Sequence, residues 1–250
     1  MNEELIAEAA GNLASWHDSS LRALDVECER DGLTWQANTA GPEVYFRTIT
    51  LTGPDEADDH YRRIQELVEA HGDETLTVCD SWGALDLAPL GFDVLRRGSW
   101  MVRHPAPPQR SPFPADFAIE RVITEKQLAA WEAASAEGFG ASSQPERGTL
   151  HGAAILQDPR MQVFSGSADG QVVGGAMAYI GDRILGVYGV SVIPQYRRRR
   201  FAEMLTWRCV LARPNIPAVL QPSEPAEPLY RTMGFEPIGE YVAWIRPAGR

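Results

Sequence analysis

The chain has 250 residues, of which 44% are hydrophobic and 23% charged, and its formal net charge is −11. This composition is that of a globular protein of one large or two small domains, and it excludes a disordered or fibrous chain. No apolar run approaches the roughly 20 residues that cross a bilayer, so we expect no membrane partner. Three widely spaced cysteines and an acidic N-terminus unlike a signal peptide favour a cytoplasmic location.

The charge is distributed unevenly between the two halves. Residues 1–104 carry 20 acidic and 8 basic side chains, a balance of −12, whereas residues 105–250 carry 14 and 15, a balance of +1. A nucleic-acid-binding protein normally has a broad basic face, so we expect no nucleic-acid partner. The histidines lack HxxxH or HExxH spacing and the cysteines form no CxxC pair, so we expect no metal.

In chain order, hydrophobic periodicity and turn residues predict alternating helices and strands. In the first half they predict a helix near 3–14, strands near 33–38 and 44–52, a helix near 57–70, and strands near 75–79 and 92–103. Five prolines in the eleven residues from His104 to Pro114 then predict a stiff linker. We therefore expect a domain at 1–104, a linker at 105–116 and a second domain at 117–250.

The second half has the stronger pattern. It predicts a strand at 117–122, a helix at 124–137, strands near 162–168, 171–180 and 184–193, a helix at about 198–212, a strand at 218–221, a short helix at 225–232 and a strand at 235–246. We expect Thr124 to cap its helix and Asp169-Gly170 to form a hairpin turn. The segment from Gly138 to about Pro159 is expected to be mobile.

The two halves are compatible with a diverged repeat. Pro194 precedes Gly234-Phe235 by 40 residues, and Pro54 precedes Gly91-Phe92 by 37. Each Gly-Phe pair opens a final strand. Two unrelated α/β segments that share a Gly-Phe turn are the alternative, and the sequence favours neither.

The most informative stretch is the predicted strand at 184–193, followed by Pro194 and the four arginines at 197–200. A strand that runs into a tight turn and a helix directs unpaired amides and the positive end of the helix dipole at one point, which suits phosphate. Arginines add bidentate donors for phosphate oxygens. Coenzyme A, with a pyrophosphate and a 3′-phosphate, is a polyanion of this kind.

This stretch resembles the GNAT family of N-acetyltransferases, whose strand leads into Val-x-Pro and then Arg/Gln-x-x-Gly-x-Gly/Ala. Val192-Ile193-Pro194, Arg197 and Ala202 match that pattern, and Leu229-Tyr230-Arg231-Thr232-Met233-Gly234-Phe235 is similar to the family's Leu-Tyr-x-x-x-Gly-Phe. The resemblance covers about residues 117–250. It implies an α/β fold with an α+β mixed sheet, the GNAT-like acyl-CoA N-acyltransferase fold, with the N-terminal half as a degenerate copy if the repeat is real.

One departure from the family pattern concerns two of the arginines. Arg198 and Arg200 stand where the family has glycine, a residue that allows positive φ and close approach to a ligand. If Arg200 keeps a helical conformation with its side chain outward, the amides can still reach a pyrophosphate, and otherwise the turn is blocked. A solvated basic face or a weak nucleic-acid patch is the alternative interpretation of the arginine run.

The resemblance also implies roles for individual residues, with acetyl-CoA as the acyl donor. The donor phosphates would be held by Arg197, Arg198, Arg199, Arg200, Phe201 and Ala202. The pantetheine arm would pair with the backbone of Val190 and Val192, and the Val190 amide would polarise the thioester carbonyl. Tyr230 would protonate the departing CoA thiolate, or else it only packs its helix against the sheet.

The general base is less well defined. Glu137, at the end of the helix predicted at 124–137, is our candidate, and it competes with Tyr188, Ser191, Glu224 and a chain of waters. His151 could titrate near neutrality, but a lone loop histidine is usually solvated.

The N-terminal half lacks this equipment. The acidic run at 55–59 stands where the second half has arginines, and Leu87 stands where it has Tyr230. We expect this half to shape a substrate cleft or a subunit interface. The sequence as a whole predicts an N-acetyltransferase acting on a primary amine of an unknown acceptor, with a catalytically silent GNAT-like binding or scaffolding protein as the alternative. The oligomeric state stays open, and a homodimer is one option.

Overall fold

The computed structural model describes residues 3–107, 114, 116–141, 143, 145–146 and 148–249, so most of the expected linker lies outside the described residues. The first of two compact units comprises Met1–Met101, Gln221–Glu224 and Pro237–Arg250, and the second comprises Val102–Leu220 and Pro225–Glu236. The domain division at residues 105–116 stays a prediction. The compact units differ from it because the last strand of the chain belongs to the first unit. No helix in the described part of the chain is both long and apolar enough to cross a membrane.

The N-terminal half follows the expected order of elements with three differences. Its elements are α1 (Glu3–Arg22), β1 (Cys28–Arg30), β2 (Thr34–Ala37), β3 (Thr48–Thr50), α2 (Ala57–His71), β4 (Leu76–Asp80) and β5 (Asp93–Arg103). Helix α1 extends eight residues beyond its predicted end because Trp16, His17 and Leu21 continue the buried face. Strand β1 was not predicted, since Cys-Glu-Arg shows no hydrophobic run, and β3 is shorter than the predicted strand at 44–52.

The second half follows the predicted order throughout. Its elements are β6 (Ala118–Arg121), α3 (Glu125–Gly138), β7 (Met161–Ala168), β8 (Gln171–Ile180), β9 (Leu185–Val192), α4 (Phe201–Val210), β10 (Ala218–Leu220), α5 (Glu227–Thr232) and β11 (Glu236–Arg246). Thr124 caps α3 as predicted, with a reciprocal contact to Gln127. Asp169 and Gly170 both have positive φ, 50° and 78°, which fits the tight hairpin turn between β7 and β8. Helix α4 begins three residues later than predicted because Arg198 and Arg200 have left-handed backbones.

In the first unit the strands lie in the order β1-β2-β3-β4-β11-β5. Strands β3 and β4 are parallel, whereas β4 and β11 are antiparallel, with Cys79 opposite Ala243. Helix α2 covers this sheet with Ile64 and Leu67, which join a buried cluster that includes Trp244 of the last strand. The C-terminal strand is therefore part of the core of the first unit.

In the second unit the strands lie in the order β10-β9-β8-β7-β6. Only the pair β9–β10 is parallel. Helix α3 packs very closely on β8 and β9: a Cβ added to Gly175 would lie 1.9 Å from the indole nitrogen of Trp131, and one added to Gly138 would lie 2.9 Å from Ser191 Cβ. These glycines are required because any side chain there would separate the helix from the sheet.

The order of elements supports the repeat. Each half has a helix, three antiparallel strands, a 3-10 turn that starts at a proline, a second helix, a parallel strand and a long final strand. Gly91 and Gly234, which precede the two final strands, have the same φ of 84°. The first half has no counterpart of β6, it has a 3-10 turn (Ala88–Leu90) where the second half has α5, and its turn runs from Pro54 directly into α2 at Ala57. It therefore has no counterpart of the arginine segment 197–200.

Candidate functional site

Strand β9 carries a bulge near its centre. Its register with β8 changes from Gly175 opposite Ser191 to Met177 opposite Tyr188, so Gly189 and Val190 both oppose a single residue of β8. Gly189 has a φ of 61°, and both bulged residues are half-buried, whereas the rest of β9 is buried. Bulges of this kind turn backbone groups out of the ladder, and they are frequent beside active sites.

Strands β9 and β10 are paired only at their beginnings. Leu185 lies opposite Ala218 and Gly186 opposite Val219, while β9 continues to Val192 and β10 ends at Leu220. The amide of Ile193 donates to Val173 at 2.9 Å, toward β8. Since successive amides of a strand point to opposite edges, the amide of Val192 points away from β8, and that of Val190 is expected to do so as well. This edge of β9 can accept an extended ligand.

The turn after β9 has left-handed backbone at both positions where arginine stands in place of an expected glycine. Pro194–Tyr196 form a 3-10 turn, and Arg198 and Arg200 have φ of 62° and 67°. Left-handed backbone costs an L-residue about 1–2 kcal/mol, so the fold imposes it here. Arg200 is therefore the left-handed N-cap of α4 and not a helical residue, and its side chain points outward to Glu203.

Three of the four arginine side chains are engaged within the chain. Arg197 donates to the carbonyls of Val192 at 3.2 Å and Gly138 at 2.8 Å. Arg199 pairs with Asp116 and lies over the rings of Tyr196 and Phe201, and Arg200 pairs with Glu203 at 2.7 Å.

Arg198 differs from its three neighbours. Its side chain is exposed, and it has no hydrogen bond or ion pair with any residue that the structure describes. It is thus the arginine available to an external anion. The first amides of α4, which begin at Phe201, lie directly after it and have no acceptor within the helix. Phe201 itself is buried against Phe117 at 3.9 Å, and Ala202 is half-buried.

Tyr230 is buried in α5, with a relative exposure of 6%. Its ring packs edge-on against Phe235, and its hydroxyl is hydrogen-bonded to Thr206 of α4. Burial raises the pKa of Tyr230 to about 12, although the bond to Thr206 acts in the opposite direction. The phenol is therefore protonated at neutral pH. This protonation state is compatible with a proton donor and with a packing residue, so it does not distinguish the two roles. Thr206 has no signal in the sequence, because it only follows the helical period of α4.

The candidate bases lie in different surroundings. Glu137 is exposed in the last turn of α3, and Glu224 is exposed in the first unit. Tyr188 is buried, and Ser191 donates to Ser135 of α3 at 3.2 Å in a buried position. Ser191 therefore lies on the α3 side of β9.

Glu132 and His151 form a buried polar pair that the sequence did not reveal. The carboxylate of Glu132 accepts the amides of Gly148, Leu150 and His151 at 2.9–3.3 Å, and His151 Nδ1 lies 3.4 Å from it. Burial raises the pKa of Glu132, but these hydrogen bonds outweigh it, so the net pKa is lowered. The expectation of a solvated histidine is wrong: His151 is 7% exposed and packs on Trp131.

A cavity of about 360 Å³ adjoins this pair, between α3 and the segment that follows it. Its lining consists of Glu125, Leu128, Ala129, Glu132, Gly148, His151 and Ala153. The region after α3 also contains a short 3-10 helix, Ala153–Gln157, so its described residues have defined contacts where a mobile segment was expected.

Comparisons with known proteins concern the family and the fold. Residues 126–235 match the model of the acetyltransferase (GNAT) family. A GCN5-related N-acetyltransferase from Kribbella flavida aligns over 94% of this chain and 96% of its own, with a TM-score of 0.61 and 18% identity. A GCN5-related N-acetyltransferase from Sphaerobacter thermophilus aligns over 80% of this chain and 71% of its own, with a TM-score of 0.58 and 15% identity.

A conserved protein of unknown function from Staphylococcus epidermidis has the same fold over 90% of this chain and 95% of its own, with a TM-score of 0.57 and 12% identity. No curated protein matches the chain in sequence. At these identities the solved structures establish the fold, which extends over both halves, and the family model adds the assignment. Residues 126–235 of this chain are a domain of the GNAT acetyltransferase family.

Proposed function

We propose that this protein is an N-acetyltransferase that moves the acetyl group of acetyl-CoA to a primary amine. The observation that carries the proposal is the bulged strand β9, which leaves β10 after Gly186 and leads into the left-handed turn before α4. This arrangement offers a strand edge for an extended arm, and a helix N-terminus for phosphates lies at the end of the same strand.

The donor would be held at two places. Its phosphates would bind at the first amides of α4, with the exposed guanidinium of Arg198 as their charged partner. The other three arginines would contribute to donor binding only indirectly, because their side chains already contact groups of the protein. They stabilise the turn that holds the amides in place; these residues are Arg197, Arg199 and Arg200. The pantetheine arm would pair with the backbone of Val190 and Val192.

The reaction would then proceed by direct attack. The amine nitrogen attacks the thioester carbonyl carbon, and the amide of Val190 stabilises the oxyanion. The carbon–sulfur bond breaks, and Tyr230 donates its proton to the thiolate. The attacking amine loses a proton to a base or to water. Glu137 is the base that we propose, since its exposed position at the end of α3 lies beside the Gly138 carbonyl to which Arg197 is bonded.

The test is isothermal titration of the full-length protein with acetyl-CoA. We expect saturable binding that Arg198→Gln weakens about tenfold or more, because one charge-assisted contact to phosphate is lost. Arg62→Gln, on the exposed face of α2, is the matched control and is expected to leave binding unchanged. Absence of binding at millimolar acetyl-CoA would remove the proposed function.

A catalytically silent binding protein is the second candidate. It is favoured by one observation, that the hydroxyl of Tyr230 is buried and already bonded to Thr206. Binding of acetyl-CoA without release of the free thiol, over a panel of primary amines, would select it.

A further inference from the structure

We propose that Trp131 closes the acyl end of the donor site and limits this protein to short acyl groups, acetyl above all. This inference rests on the proposed function, because it concerns the same strand β9. It adds a residue that determines which acyl-CoA is used, at a position outside both motifs that identify the family.

Trp131 lies at the bulge of β9. Its side chain is fully buried, and a Cβ added to Gly189 would lie 3.9 and 4.0 Å from Cζ2 and Cη2 of the indole. Met177 Cε is nearer still, at 3.8 Å from that point. The space directly above Gly189 is thus bounded by one indole and one methionine methyl group.

The proposed oxyanion donor is the next residue along the chain. A thioester carbonyl whose oxygen accepts from Val190 has its carbon within a few ångströms of Gly189, since the donor–acceptor distance is about 2.9 Å. The carbon attached to the thioester carbonyl therefore approaches the surface that is formed by Trp131 and Met177. A methyl group can be accommodated in van der Waals contact, whereas each further methylene must displace a packed side chain.

The indole has little freedom to move away. On its other edge, Nε1 covers Gly175, where a Cβ would lie only 1.9 Å from it, and His151 packs against its ring at 5.0 Å. Nε1 is buried and has no hydrogen-bond partner in the described part of the chain. The position of the indole is therefore fixed by shape, through a glycine beneath it and the Glu132–His151 pair beside it, and not by a hydrogen bond.

The experiment is a comparison of affinities for free CoA, acetyl-CoA, propionyl-CoA and butyryl-CoA by titration calorimetry, which needs no acceptor. For the wild-type protein we expect acetyl-CoA to bind at least as well as free CoA and butyryl-CoA to bind at least about tenfold more weakly, since one misfitting methylene costs 10-fold or more. Trp131→Leu should bring the butyryl-to-acetyl ratio of Kd values close to one, and Trp131→Phe should give an intermediate ratio.

Two controls separate this inference from general effects. Arg198→Gln should weaken all four ligands equally, and Trp244→Leu, a buried tryptophan of the first unit, should leave the ratio unchanged. Equal binding of acetyl-CoA and butyryl-CoA by the wild-type protein would overturn the role of Trp131 while the proposed function stands, and this outcome does not depend on whether a variant folds. A Trp131→Leu protein that binds acetyl-CoA and retains the wild-type ratio would overturn it as well. If none of the four ligands binds, both the role of Trp131 and the proposed function are overturned.

Discussion

Arg103 Nε, at the end of β5, donates to the carbonyl of Met233 at 3.0 Å, directly before the Gly234-Phe235 turn. Arg246 Nε, at the end of β11, donates to the carbonyl of Leu90 at 3.2 Å, directly before Gly91-Phe92. Each half of the chain thus supplies an arginine, three or two residues after a tryptophan, that reaches the Gly-Phe turn of the other half. The reciprocal contacts are the residue-level mark of the repeat, and the contact of Arg246 lies within the first unit, where β11 also pairs with β4.

We predict that Arg103→Ala lowers the free energy of unfolding by about 1–3 kcal/mol, because it leaves buried carbonyls without a charged donor. The guanidinium also donates to Ala106 at 2.8 Å and lies 4.7 Å above the ring of Trp207. Urea denaturation measures the effect, with Arg62→Ala as the surface control, which should change stability by less than about 0.5 kcal/mol. Equal effects of the two substitutions would contradict a structural role for the Arg103 contact.

The placement of the last strand of the chain in the sheet of the first unit could not be predicted from the sequence. Both strands end in similar residues, with Trp100 in one and Trp244 in the other, so local pattern does not decide which sheet each joins. Strands of eight to eleven residues, such as β8 and β9, were predicted almost to the residue because their apolar runs are bounded by turn residues. Strand β1, with three residues, is specified only by its pairing with β2.

The candidate site was predictable to a similar extent. The order of strand, turn and helix follows from the apolar run that ends at Val192 and from Pro194. The partners of the arginines do not follow from the sequence pattern, because Gly138 and Asp116 are distant in sequence from residues 197–200. His151 was misjudged for the same reason: its burial depends on Glu132, nineteen residues away.

We predict that Arg198→Gly is more stable than Arg198→Ala by up to about 1 kcal/mol. Both substitutions remove the same side-chain functions, but only glycine adopts a φ of 62° without strain. Thermal unfolding of the two variants, without ligand, measures the difference. A less stable glycine variant would show that the left-handed conformation at this position is not costly.

We predict that Tyr230→Phe lowers turnover about 100-fold or more and leaves the affinity for acetyl-CoA within about twofold of the wild-type value, as expected for loss of a general acid. Thr206→Val, which removes the hydrogen bond to the phenol together with the one that Thr206 Oγ1 donates to the Ala202 carbonyl, is the control for packing, and it should retain most of the activity. Release of the CoA thiol, with an accepted amine, provides the measurement. Unchanged turnover in Tyr230→Phe would reassign this residue to packing.

We predict that His17 makes the protein sensitive to acid. His17 is fully buried in the first unit among Trp16, Trp35 and Tyr45, and burial lowers its pKa to about 3, although its hydrogen bond to Leu13 acts in the opposite direction. The unfolded state binds a proton near pH 6.5, so stability is lost as the pH falls below 6.5, by about 2 kcal/mol at pH 5.

The measurement is denaturation of wild-type and His17→Leu proteins at pH 7 and pH 5. The difference in unfolding free energy between the two pH values should be about 2 kcal/mol smaller in the variant, and parallel pH dependences would contradict a neutral His17. His60, whose pKa burial also lowers, is present in both proteins and therefore cancels in the comparison.

We predict that Glu132→Gln loosens the segment at 148–151. The carboxylate accepts three backbone amides, and a glutamine places an NH2 group, which cannot accept, against at least one of them. Hydrogen exchange should accelerate at the amides of Leu150 and His151, while the amides of β7 keep their wild-type rates.

Because the folded pKa of Glu132 is lowered, its contribution to stability is present above the ordinary carboxyl pKa and is lost as the pH falls through the lowered value. The accelerated exchange should therefore appear in the wild-type protein too when it is acidified, after correction for the intrinsic pH dependence of exchange. Glu137→Gln, five residues further along α3 and exposed, should change neither rate, and an equal effect of the two substitutions would mean that the segment is not held by the buried carboxylate.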